Sequence, residues 1–182
     1  MRKCMSERVW YWNVTEQERH AAYPCDRYLA EPHRGMLRAV RVDARAEVVF
    51  RWLCQLKVAP YSYDWIDNWG RRSPRRLTPG VEQLAIGQSF LIGKIVEFEE
   101  NRQITSVIRR EFMPVFGHLA ITYSVRSTEP ESCRIVVKLA AGASNWWQRA
   151  RRAALAWGDL IMMRKQLLTL KALAEDGSFT LR

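Results

Sequence analysis

The residues of this chain with the most capacity for chemistry are two carboxylates set among four aromatic rings. Tyr61-Ser62-Tyr63-Asp64-Trp65-Ile66-Asp67-Asn68-Trp69 follows Pro60 and precedes a basic loop, Arg71-Arg72-Ser73-Pro74-Arg75-Arg76. Asp64 and Asp67 occupy neighbouring positions if the stretch is helical, a spacing suited to an acid/base pair. Asp64 is the better catalytic candidate, because Tyr63 and Trp65 flank it and desolvation would raise its pKa. Helix capping accounts for both acids more plainly. Ser62 is a good N-cap, the aspartates complement the positive end of a short helix, and Gly70 can stop it. Tyr61, Tyr63 and Trp65 either stand at the rim of a pocket or pack this helix onto a sheet.

Other reaction signatures are missing. His20, His33 and His118 are isolated from one another and from cysteine, so no metal site is expected. Cys4, Cys25, Cys54 and Cys133 form no CxxC pair. The chain has no serine nucleophile elbow, no Walker loop and no dinucleotide fingerprint, and no cofactor is expected.

The net charge is +10, from 29 basic and 19 acidic residues. Such a balance attracts anionic surfaces non-specifically. Two clusters concentrate it: Arg71, Arg72, Arg75 and Arg76 in the basic loop, and Arg149, Arg151 and Arg152 early in a long helical pattern. There positive charge opposes the helix dipole. An anionic membrane surface or an acidic partner would relieve the conflict, although a solvated arginine-rich surface accounts for both clusters as well. No nucleic-acid-binding motif accompanies them, so nucleic acid is not the expected partner. Scattered cysteines and an N-terminus without an apolar stretch lead us to expect a reducing, cytoplasmic compartment. The apolar run from Ala153 to Met163, broken by Gly158 and Asp159, is too short to span a bilayer.

A chain of 182 residues suits one domain with extensions. Residues 1–34 read as an arm packed on the domain by its aromatics, with Thr15 capping a short helix whose first turn is acidic. Met36 to Val42 reads as a strand reached through Gly35. Asp43 then caps a helix carrying Val48, Val49, Trp52, Leu53 and Leu56, which Pro60 ends. From Gln88 the period becomes two. Strands are predicted at 89–92, 94–99, 103–112, 118–126 and 133–139, with a bulge or bend at Gly93 and each strand keeping one wet face. Residues from Asn145 to about Ala174 form a long amphipathic helix through Ala153, Ala156, Leu160, Met163, Leu167, Leu170 and Ala174. The fold class is therefore α+β, a curved antiparallel sheet wrapped around a long C-terminal helix, with two short helices after the first strand. The domain runs from 35 to 176, and 177–182 is a tail.

Three stretches resemble the START-like helix-grip superfamily (SRPBCC), which includes birch-pollen-allergen-like proteins and polyketide cyclases. They are Arg38-Ala39-Val40-Arg41-Val42-Asp43-Ala44 with Val48-Val49-Phe50-Arg51-Trp52-Leu53, then Tyr61 to Asn68, then Met163 to Lys171. More closely, the chain looks like a bacterial branch of that superfamily whose members carry no assigned activity. Cys25 and the pair Arg45-Ala46 depart from the branch, which usually has glycine and a proline there. The resemblance implies a deep apolar cavity between sheet and C-terminal helix that binds or carries lipids, steroids or polyketides. Phe98, Ile121, Tyr123, Ile135, Val137, Leu160, Met163 and Leu167 would form its walls, with Tyr61, Tyr63 and Trp65 at the rim. The expected partner is thus a small hydrophobic or amphipathic ligand. The alternatives are a cyclase- or hydrolase-like enzyme using Asp64 in the same cavity, and a protein that docks a membrane surface or acidic partner through its arginine clusters. Fold alone does not choose among them.

Overall fold

The alternating pattern between Gln88 and Gly142 forms five of the seven strands in one curved, open sheet. The computed structural model describes residues 9–29, 33–63, 72–142 and 146–176, with the backbone alone at 33–34 and 146–156. The strands are β1 (Tyr11–Trp12), β2 (His33–Val42), β3 (Ser89–Phe90), β4 (Gly93–Glu99), β5 (Gln103–Ile108), β6 (Leu119–Glu129) and β7 (Ser132–Gly142). Their order is β1-β2-β7-β6-β5-β4-β3, antiparallel except where β1 runs parallel to β2. The helices are α1 (Glu16–His20), α2 (Ala46–Cys54), α3 (Met113–Phe116) and α4 (Trp146–Glu175). Among the described residues no helix is long and apolar enough to cross a membrane.

The α+β arrangement of sheet and terminal helix agrees with the sequence pattern, and its details differ in instructive ways. β5 stops at Ile108, where a 3-10 turn (Arg110–Phe112) replaces the rest of the predicted strand and leads into α3. Pro114 removes a ladder donor and is well placed near a helix start. The predicted strand over 89–92 is only Ser89–Phe90, because Leu91 adopts a positive φ of 52° in the turn to β4. The bulge of β4 falls between Ile95 and Glu97 and not at Gly93. Gly93 serves a closer approach: a Cβ there would stand 2.8 Å from the Val107 carbonyl oxygen on β5. The N-cap position of α2 is Arg45, which makes no side-chain capping bond, and not Asp43, whose N–H donates to Glu175 at the end of α4. The short helix expected over Tyr61–Trp69 lies largely outside the described residues.

The sheet has no fully wet face. On the concave side Trp52, Leu53, Ile135, Val137 and Leu167 bury themselves in the main core. The convex side was expected to face water, yet the N-terminal arm covers part of it with Tyr23 and Cys25 against Leu37, Ala120 and Val136. α1 anchors this arm through a capping box in which the Thr15 hydroxyl accepts from Glu18 N–H and the Glu18 carboxylate accepts from Thr15 N–H. Beneath the arm, Thr122 pairs with Thr105 and accepts from the Cys25 N–H, so no buried hydroxyl is stranded there.

Candidate functional site

A cavity of about 590 Å³ opens between α4 and the concave face of the sheet. Its floor is Ser106, Ile108, Ile121, Tyr123 and Gly93 on β4, β5 and β6. Asp159, Met163 and Gln166 enter from α4, where spacings of four and three put them on one face. Val58 and Ile92 line the cavity yet are 46% and 39% exposed, so they mark its rim. Phe112 and Phe116, from the segment that replaces the end of β5, complete the wall.

The walls are largely apolar, and the polar groups among them are mostly engaged. Tyr123 O–H donates to Gln166 Oε1 at 2.7 Å, and Gln166 Nε2 donates to the Pro60 carbonyl at 2.5 Å. Gln166 thereby ties α4 to the strand floor and to the loop after α2. Burial pushes the Tyr123 hydroxyl well above its ordinary range, with nearby Asp159 adding to the rise, so it remains a neutral donor. At the rim Lys57 Nζ donates to the Gln83 carbonyl at 2.8 Å. The Arg109 guanidinium lies 4.9 Å from the Phe112 ring centre and 3.4 Å from Glu111.

The exceptions among the described residues of the lining are Arg109 Nε and Asp159 Oδ2, both buried without a hydrogen-bond partner. Behind Asp159, on β2, Arg38 points inward with Met36, Val40 and Val42, because alternate strand residues share a face. Arg38 Nη2 stands 2.9 Å from Asp159 Oδ2, with the two side chains 1% and 12% exposed. Arg38 also donates to the carbonyls of Val9 at 2.8 Å and Trp10 at 2.9 Å. The ions lie close but are poorly aligned: among the described residues Asp159 Oδ2 receives no well-directed hydrogen bond. Burial pushes the Asp159 carboxyl up to about 6, and the pull of Arg38 in the other direction recovers only part of that rise. Burial likewise lowers the pKa of Arg38, with Asp159 opposing. The result is a carboxylate on the cavity wall that titrates near neutrality, beside a neutral phenol.

Of the residues expected in the walls, Ile121, Tyr123 and Met163 meet at the cavity. Ile135, Val137 and Leu167 are buried in the main core instead, while Phe98 and Leu160 are half-buried away from the lining. Tyr61 is buried edge-on against Trp52 at 6.1 Å, its O–H donating to the Pro74 carbonyl at 2.5 Å. Its neighbour Ser62 lines the cavity, and Tyr63 is half-buried outside the lining. Asp64, Trp65 and Arg71 lie outside the described residues, as do the side chains of Arg149, Arg151 and Arg152. Arg72, Arg75 and Arg76 are exposed. Among the described residues no His, Cys, Asp and Glu side chains gather into a group that could hold a metal ion.

Sequence reasoning passed over Arg38, Asp159 and Gln166. Each left a trace: an arginine at an inward position of an alternating strand, and an aspartate and a glutamine on the buried face of the last helix.

No protein-family model matches the chain, and no curated protein matches it by sequence. Solved structures do resemble it. A protein from Mesorhizobium loti aligns over 80% of this chain and 100% of its own at 12% identity, with a TM-score of 0.53. Truncated norcoclaurine synthase from Thalictrum flavum aligns over 78% of this chain and 93% of its own, also at 12% identity, with a TM-score of 0.51. A START superfamily protein from Mycobacterium smegmatis aligns over 80% of this chain and 99% of its own at 15% identity, with a TM-score of 0.49. With its curved sheet gripping the C-terminal helix, the chain shares the helix-grip fold of the first two of these structures.

Proposed function

We propose that this protein binds a small apolar or amphipathic molecule between its sheet and α4. The observation that carries the reading is the cavity of about 590 Å³, a size within the range of small-molecule sites and lined mainly by aliphatic and aromatic side chains. Ile121 and Met163 supply apolar contact, and Tyr123 and Asp159 supply the few polar groups that would orient a ligand. Each Å² of apolar ligand surface removed from water contributes about 25 cal/mol. Native mass spectrometry of gently purified protein tests the reading, with co-purifying small molecules as the expected result. Bare protein in repeated preparations, together with no thermal shift across a panel of lipids and polyketides, would overturn it.

A further inference from the structure

We propose that Trp10, in the N-terminal arm, sets how long a ligand the cavity accepts. This rests on the binding reading above and names the residue that limits the ligand. The cavity runs beneath the sheet from its rim at Ile92, just before β4, to Met36 on β2. That path crosses β4, β5, β6, β7 and β2, a width of about 19 Å at the usual strand spacing. At the rim Val58 and Ile92 are exposed, whereas Met36 is buried. The β2 side is therefore the blind end, and the arm closes it. Val9 and Trp10 are buried in one cluster with Met36, Ile108 and Leu119, against which Phe112, Phe116 and Leu139 pack. All six of these partners line the cavity, while Val9 and Trp10 stand behind them. One layer of side chains thus separates the Trp10 indole from the void.

The backbone of this segment is held independently of its side chains. Arg38 donates to the carbonyls of Val9 and Trp10, and Tyr11 and Trp12 pair with Leu37 and Arg38 on β2. Truncating Trp10 leaves those bonds in place, so the segment stays and only the space behind the layer changes. Close packing means that the indole now holds the layer forward against the cavity. Met36 is the most adaptable member of the layer, unbranched and with three rotatable bonds. Without the indole behind it, Met36 falls back toward the arm and the cavity lengthens at its blind end. A residue outside the helix and the long strands thereby gauges the apolar chains that enter at the rim.

Displacement of the neutral fluorescent probe N-phenyl-1-naphthylamine by straight-chain alcohols, from octan-1-ol to tetradecan-1-ol, tests this. In the native protein potency should rise about fourfold for each added methylene, then stop rising once the chain reaches the blind end. In Trp10→Ala the rise should continue for about two further carbons, while the potency of the shortest alcohols changes by less than about threefold. The same limit in both proteins, an equal loss at every length, or a native series with no limit overturns the inference and leaves the binding reading standing. If neither the probe nor any alcohol binds the native protein, both fall. Should Trp10→Ala fail to fold, Trp10→Leu takes its place and must extend the limit by about one carbon.

Discussion

Arg38 and Asp159 join three parts of the chain at one point: the segment at Val9 and Trp10, the strand β2 and the helix α4. Removing one member of such a pair costs more than removing both, because the survivor keeps a buried charge. Arg38→Met should destabilise the fold by about 3–5 kcal/mol in urea titration, and the double variant Arg38→Met/Asp159→Leu should recover a large part. Additive losses would show that the two charges do not act together. The pH dependence follows separately. In the folded chain Asp159 titrates near 6, above the ordinary 3.8 of the unfolded chain. Folding thus favours its protonated form, and the stability it contributes is whole below about pH 4 and lost as pH rises through about 6. Relative to Asp159→Asn, the native protein should lose stability between those values, by up to about 3 kcal/mol. Paired urea titrations read this difference, and a flat or rising curve rejects the assignment. Sequence pattern made each residue visible alone, Arg38 within an alternating strand and Asp159 within an apolar helical run. That they meet depends on the curvature of the sheet, which pattern does not encode.

At the scale of elements, periodicity is legible where one face is buried, and fails where a neighbouring segment changes what is buried. β6 and β7 alternate cleanly and form long strands. The 3-10 turn after β5 was misread as the end of that strand, because Ile108 and Phe112 are apolar in both readings. The wet face assigned to the sheet was wrong for a similar reason. Thr105, Thr122 and Ser124 look solvent-facing by type, but they are buried under the arm, whose Cys25 N–H donates to Thr122 while Thr122 pairs with Thr105. Two substitutions probe these elements. Thr15→Ala removes the capping box of α1 and should lower stability by about 1 kcal/mol. Gly158→Ala should raise it by a similar amount, because alanine favours helix by about 1 kcal/mol and the added Cβ meets no described atom within 4 Å. Thermal melts of both variants check the signs, and a destabilised Gly158→Ala would mean that α4 needs its glycine for a bend or a contact.

The molecule as a whole leaves its largest void where the sheet bends away from α4. Bulges in β4 and between β6 and β7 add local twist, and Gly93 gives up side-chain volume on the floor. A domain of this size has enough apolar residues to close such a void, so an open one is either a ligand site or a packing fault. Ile121→Trp separates the two. Ile121 lines the cavity on β6, opposite Ser106 on one side and Leu139 on the other, so the larger ring projects into existing space. If the void is a fault, filling it should stabilise the protein and change little else. If it is the ligand site, the variant should stay folded, with a melting temperature equal to or above that of the native chain. It should also bind N-phenyl-1-naphthylamine at least about tenfold more weakly, since the ring excludes the probe from the apolar surface that drives binding. Ile86→Trp, an exposed position outside the lining, serves as the control and should bind as the native protein does. Unchanged binding in a folded Ile121→Trp would move the site away from this cavity.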